Sequence, residues 1–94
     1  MTSVRTVGLR IHGRVQGVWY RAWTQEEARE LGIDGWVRNR RDGTVEALLS
    51  GRAEDVDRLV DLCGSGPPLA RVTRVEVTPE EEVPSPGFVQ RPTV

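Results

Sequence analysis

The stretch Gly13–Arg21, with the sequence GRVQGVWYR, combines two glycines with an arginine at the point where a helix is predicted to begin. Successive backbone N–H groups in a tight loop can converge on one anion, and the unpaired N–H groups of a helix start add further donors. A cation at that helix end is disfavoured by about 0.3–1 kcal/mol, because the backbone already carries partial positive charge there. A bound oxyanion would remove this conflict, since the planar fork of Arg21 matches two phosphate oxygens. The alternative is an ordinary connection with an exposed arginine.

One glycine and one asparagine could complete an anion site of this kind. Gly17 allows the backbone to adopt a positive φ or to come close to a ligand. Asn39 lies near the end of a predicted strand, just before a hairpin turn, where its amide can orient a water molecule through the carbonyl oxygen or the NH₂ group. The alternative for Asn39 is a turn residue whose side chain bonds its own backbone.

The composition predicts one folded domain, residues 1–94, of which 37% are hydrophobic and 29% charged. The net charge of −1 argues against a general nucleic-acid binder, although all 13 basic residues are arginine. No apolar run approaches the length of a membrane span, and the N-terminus lacks the apolar core of a signal peptide. We therefore expect a cytoplasmic protein. Cys63 is the single cysteine, so neither an internal disulfide nor a cysteine metal cluster is expected.

Hydrophobic periodicity predicts the elements that must position these residues. VGLRIHG alternates as a strand does, and helical spacing from Tyr20 to Leu31 predicts a helix that ends at Gly32. Asp42-Gly43 predicts a hairpin between two further strands, and AEDVDRLVDLC predicts a second helix. ARVTRVEVTP predicts a fourth strand, and FVQR a short edge strand. This order is typical of a ferredoxin-like α+β sandwich (βαββαβ), an antiparallel sheet with two helices on one face.

Residues 13–51 resemble the acylphosphatase family through several linked motifs. GRVQGVWYR is similar to the family pattern G-R-V-Q-G-V-x-F-R, and ELG, GWVRN and DGTVE follow in order and at the expected spacing. The chain departs from the pattern at Tyr20, where the family usually has phenylalanine. It also departs at Gln90 and Pro92, where the family has an apolar and an aromatic residue. The last two departures leave open whether the C-terminal segment completes the sheet.

The resemblance implies an enzyme that hydrolyses the carboxyl–phosphate bond of an acyl phosphate to a carboxylate and inorganic phosphate. It implies that Arg21 and Asn39 are catalytic, with Asn39 orienting the attacking water. It also implies a phosphate-binding loop made of Val15, Gln16, Gly17, Val18, Trp19, Tyr20 and Arg21. No metal or other cofactor is expected, because a carboxylate leaves without protonation and the loop with Arg21 can stabilise the transferred phosphoryl charge. The expected partner is the small-molecule substrate, with no nucleic acid and no membrane, and the expected state is a monomer.

Other classes of function make different demands on the sequence. A non-catalytic anion-binding module could use the same loop, but binding alone does not need a water-orienting amide at Asn39. An RNA-binding sheet of this topology needs stacking aromatics on its central strands, and VGLRIHG and TVEALLSG contain none. A metal-carrying ferredoxin-like domain needs paired cysteines, and the sequence has only Cys63.

The remaining residues that could do chemistry are expected to have structural roles. His12 is predicted to face away from the apolar side of the first strand, without a carboxylate beside it, and Cys63 to lie in the core. Trp19, Trp23 and Trp36 could line the site or pack, and packing is expected for most of them. Arg38, Arg40 and Arg41 are expected to form a solvated face that could also attract an anionic substrate.

Overall fold

The computed structural model describes residues 3–94. The elements are β1 (Val4–Arg14), α1 (Tyr20–Leu31), β2 (Asp34–Asn39), β3 (Val45–Arg52), α2 (Ala53–Cys63), β4 (Arg71–Pro79) and β5 (Phe88–Gln90). The five strands form one sheet in the order β4-β1-β3-β2-β5. The first four strands pair antiparallel, whereas β5 lies parallel to β2. The ferredoxin-like α+β prediction is confirmed, and β5 adds one parallel pair to the predicted antiparallel sheet.

Strand alternation places every second residue of β1 and β3 on the side of the sheet that the helices cover. The paired residues on this side are all buried: Val7, Leu9, Ile11, Val45, Ala47 and Leu49. Ala28 of α1 and Val56, Leu59 and Cys63 of α2 belong to the same core cluster. Both helices therefore pack on one face, as predicted. Among residues 3–94, no helix combines the length and the apolar character that crossing a membrane requires.

A hydrogen bond from Tyr20 joins the two helices inside the core. The Tyr20 hydroxyl donates to the carbonyl oxygen of Cys63 at 2.6 Å, and the ring of Trp23 packs 5.4 Å from the Tyr20 ring. Cys63 ends α2, where carbonyls lack helical partners, and the residue four positions later is Pro67, which has no N–H group. The Tyr20 hydroxyl, which the usual phenylalanine of the family lacks, thus caps the C-terminal end of α2. Burial raises the pKa of Tyr20 and raises the pKa of the Cys63 thiol to about 12, so both groups stay protonated.

The C-terminal segment completes the edge of the sheet beyond β2. β5 pairs with β2 from Gly35↔Phe88 to Val37↔Gln90, and the Phe88 side chain is buried. The N–H of Val94 donates to the carbonyl oxygen of Asn39 at 3.3 Å. The departures at positions 90 and 92 therefore leave the pairing of the final strand intact.

A β-bulge at Gly13 directs the chain out of the sheet and into the loop before α1. The register between β1 and β4 shifts between His12 and Gly13, and Gly13 has a φ of 117°. A Cβ atom at Gly13 would lie 2.1 Å from the carbonyl oxygen of Arg71, which is far inside van der Waals contact. Glycine is therefore required at the first position of the loop motif.

We expect Gly13→Ala to lower the free energy of unfolding by about 2 kcal/mol or more, because the new methyl group meets backbone and the φ is strained for alanine. Gly51→Ala is the matched control, since its Cβ would lie 3.5 Å from the nearest atom, on the Ile33 side chain, an ordinary contact. Urea unfolding of both variants measures the difference. Equal stability of the two variants would contradict the required role of Gly13.

Candidate active site

The predicted phosphate loop lines a pocket of about 370 Å³ at the N-terminal end of α1. The lining residues come from the loop, from the first turn of α1 and from β5: Val15, Gly17, Trp19, Tyr20, Arg21, Ala22 and Gln90. Two predicted loop residues lie elsewhere: the Val18 side chain is buried in the core, and Gln16 reaches towards the β2–β3 hairpin. The loop prediction did not include Gln90, and its distance of 69 positions along the chain from Arg21 gave no local signal.

Two residues of the loop have positive φ angles, and the N–H groups of the loop form no hydrogen bond within the described chain. Gly17 has a φ of 74°, and Trp19 has a φ of 67° and a ψ of 21°, the one positive φ of a non-glycine residue among residues 3–94. This conformation costs a residue such as tryptophan of the order of 1–3 kcal/mol. Within the described chain, the N–H groups of residues 16–22 donate no hydrogen bond, and the first helical bond runs from Trp23 to Trp19 at 3.0 Å. The loop and the helix start therefore carry a run of N–H groups without a partner in the described chain, several of them on residues that line the pocket.

Arg21 stands in the first turn of α1, beside these donors. The first turn of α1 contains no acidic residue, and no ion pair to Arg21 is formed within residues 3–94. By contrast, Arg38 and Arg40 are both committed to the carboxylate of Glu46. The pocket thus combines a guanidinium and backbone donors with no neutralising side chain, which is an arrangement suited to an oxyanion.

Asn39 ends β2 on the side of the sheet that the helices cover, since it pairs with the buried Val45. Its Oδ1 atom is buried and has no hydrogen-bond partner in the part of the chain that the structure describes. The side-chain bonds of the adjacent turn come instead from Asp42, whose Oδ1 accepts from the N–H of Thr44 at 3.0 Å and from its hydroxyl at 2.6 Å. Asp42 therefore performs the turn role that was the alternative for Asn39.

The Gln16 side chain connects the loop to the hairpin that follows Asn39. Its Nε2 atom donates to the carbonyl oxygens of Arg40 and Thr44, at 2.7 and 2.9 Å. Both N–H bonds of the amide are used, so the loop is held at a fixed distance from the end of β2. Sequence reasoning considered only the backbone of Gln16, and it missed this side-chain contact.

Two expectations for the uncovered face of the sheet were wrong in detail. His12 does have a carboxylate partner, because its Nε2 atom lies 2.7 Å from Oε1 of Glu76. Two arginines of the predicted solvated cluster are half-buried: Arg38 and Arg40 donate to the same Glu46 oxygen at 2.7 and 2.9 Å. Although burial raises the pKa of Glu46, these hydrogen bonds and charges hold it below its usual value.

Trp36 on the same face confirms the packing expectation. The guanidinium carbons of Arg38 and Arg91 lie 4.6 and 4.7 Å from the centroid of its ring, and the residue is 8% exposed. Both distances are those of cation–π contacts with the indole. Trp19 behaves differently, since it is 77% exposed at the rim of the pocket.

Comparisons with known proteins identify the family of the chain. A family model described as Acylphosphatase matches residues 7–90. A curated protein from Rhodospirillum rubrum named Acylphosphatase is 52% identical over 91 residues, covering 97% of this chain and all of that protein. A second, from Acidovorax sp., is 59% identical over 86 residues, with 92% and 89% coverage. The structure of an acylphosphatase from Coxiella burnetii superimposes with a TM-score of 0.90 at 30% identity, covering 94% of this chain and 93% of that one. The chain belongs to the acylphosphatase family.

Proposed function

We propose that this protein hydrolyses the carboxyl–phosphate bond of acyl phosphates, with the loop Val15–Arg21 holding the phosphate and Asn39 orienting the water. One observation carries the proposal: Gln16 ties a loop with free N–H groups and an unpaired guanidinium to the strand that ends in an unpaired buried amide oxygen. Membership of the acylphosphatase family supports the reaction class.

Phosphate binding follows from the donors of the loop. The N–H groups of residues 16–22 have no partner in the described chain and carry partial positive charge, and Arg21, which lines the pocket, adds the full charge of its guanidinium. Phosphoryl transfer passes through a loose transition state whose charge lies on the equatorial oxygens, so catalysis depends on positioning and charge stabilisation. Donors that are already oriented stabilise this charge without reorganising during the reaction.

Asn39 acts on the water rather than on the phosphate. Its Oδ1 accepts a hydrogen bond from the water and directs an oxygen lone pair at phosphorus. The new P–O bond forms as the bond to the acyl oxygen breaks, and the electron pair of that bond leaves with the carboxylate. An amide is not a base, so the proton of the water passes to a phosphate oxygen. The leaving carboxylate is the base of an acid with a pKa of about 4, so it needs no general acid.

The proposal also covers the oligomeric state, the location and the partners of the protein. We propose that residues 1–94 act as a single-domain monomer in the cytoplasm, on a small-molecule substrate, without nucleic acid or membrane. One core cluster, which draws on both helices and on the strands of the single sheet, supports the single domain.

Turnover is expected to be independent of metal ions, because Arg21 and the backbone donors supply the positive charge. Within residues 3–94, no group of three or more His, Cys, Asp or Glu side chains could hold a metal ion. The test is release of inorganic phosphate from acetyl phosphate before and after EDTA, with equal rates expected. Loss of turnover that a divalent ion restores would overturn the metal-free scheme. Phosphate binding without any turnover would favour the non-catalytic anion-binding module.

Arg21→Lys is expected to lower kcat/KM by about 10²–10³-fold, although the charge is kept, because an ammonium cannot make the planar two-oxygen contact. The inhibition constant of inorganic phosphate should rise by about tenfold or more, since the guanidinium also binds the product. Arg58→Lys is the matched control, because Arg58 is an exposed arginine of α2. Near-normal kinetics of Arg21→Lys would place the phosphate clamp elsewhere.

Asn39→Ala is expected to lower kcat by about 10²–10³-fold with little change in the phosphate inhibition constant, because the amide acts mainly on the transition state. Asp42→Ala is the comparison variant. It removes the hydrogen bonds of the turn, so it should lower the melting temperature and cause only a mild fall in kcat. Kinetics and thermal unfolding of both variants separate the two roles. An Asn39→Ala protein that melts early but turns over normally would remove Asn39 from the active site.

A further inference from the structure

Gln90 brings a polar side chain to the pocket from β5, whereas every other lining residue belongs to the loop or to the first turn of α1. The residue is exposed and ends the edge strand. Neither phosphate binding nor the orientation of water, as derived above, uses this amide.

A chain of hydrogen bonds fixes which end of the Gln90 amide is free. The carbonyl oxygen of Phe88 can only accept, so the Gln25 amide must present its Nε2, which donates to that oxygen at 3.1 Å. The Oε1 of Gln25 then faces Gln90, whose Nε2 donates to it at 3.0 Å. The Oε1 of Gln90, a residue that lines the pocket, is left without a protein partner among the described residues and is free to accept a hydrogen bond.

This acceptor is poorly matched to the phosphate and well matched to another part of the substrate. A phosphate group has acceptor oxygens and negative charge, which the Gln90 oxygen repels, whereas Arg21 and the loop N–H groups attract them. The acyl group is the part of the substrate that remains. Because Gln90 is exposed, water bonds its oxygen when the pocket is empty. An N–H or O–H on the acyl group would replace that bond, and a methyl group would displace the water without replacing the bond.

We propose that Gln90 is a specificity-determining residue whose Oε1 accepts a hydrogen bond from the acyl group of the substrate. The favoured substrates are acyl phosphates with a hydrogen-bond donor close to the carbonyl group. The N–H or O–H group is either bonded directly to the carbonyl carbon or carried by the atom that is bonded to it. Gln25 is the positioning residue that sets the direction of the Gln90 amide. The inference rests on the proposed hydrolysis of acyl phosphates and adds the class of acyl group.

Carbamoyl phosphate and acetyl phosphate test this directly, because an NH₂ group in one replaces a CH₃ group of similar size in the other. The measured quantity is the ratio of kcat/KM for carbamoyl phosphate to that for acetyl phosphate, corrected for spontaneous hydrolysis. Comparing the ratio between wild type and variant cancels the different intrinsic reactivities of the two compounds. Gln90→Met keeps the length of the side chain and removes the acceptor, so the ratio should fall by about two- to tenfold.

Two further variants separate recognition from a structural effect. Gln25→Met frees the Gln90 amide to rotate, so the ratio should fall in the same direction but by less. Val89→Thr changes the neighbouring exposed residue, which pairs with Trp36 of β2 rather than lining the pocket, and the ratio should match that of wild type.

An unchanged ratio in Gln90→Met, or an equal loss of turnover on both compounds, would overturn the inference. Failure of the wild-type protein to release phosphate from either compound would instead overturn the proposed function. Turnover of both compounds with a ratio that does not respond to residue 90 leaves the hydrolase proposal standing and removes only the specificity role.

Discussion

Two hydrogen bonds from the Gln16 amide hold the loop after β1 against the hairpin between β2 and β3. They span 24 and 28 positions of the sequence, and they bring together a loop rich in free donors and a strand that ends in Asn39. Unpaired N–H groups and a left-handed tryptophan are both unfavourable by themselves, so the surrounding structure must hold the loop in this shape. The bulge at Gly13 sets where the loop begins, and the buried Tyr20 fixes where it ends.

The distribution of charge serves the same site. On the uncovered face of the sheet, Arg38 and Arg40 share the carboxylate of Glu46, and Asp42 lies 3.4 Å from Arg10. These acidic partners offset part of the arginine charge on that face. Arg21 forms no ion pair within residues 3–94, so a chain with a net charge of −1 still carries an unshared guanidinium at the pocket.

Local patterns predicted the elements, and they could not predict the contacts that join distant elements. Alternation, the Asp42-Gly43 turn and the helical stripes predicted the order of strands and helices, and the motifs singled out Arg21 and Asn39 as candidate site residues. The pairing of His12 with Glu76 depends on the register of β1 against β4, across 64 positions. The cap from Tyr20 likewise depends on how two helices meet, and no periodicity encodes that. The place of β5 beside β2 is a third such case, since an edge strand of three residues has too short a pattern to indicate its partner.

The buried end of α2 also has a consequence for redox chemistry. A thiol reacts with oxidants and alkylating reagents as the thiolate, and the Cys63 thiol, with a pKa of about 12, supplies almost none in the folded protein. The thiolate becomes available when α2 opens at its C-terminal end. The carbonyl of the same residue holds the Tyr20 hydroxyl, so this opening also releases the residue that begins α1. Exposure of the Cys63 thiol to oxidants and loss of the Tyr20 hydrogen bond are therefore consequences of one local opening.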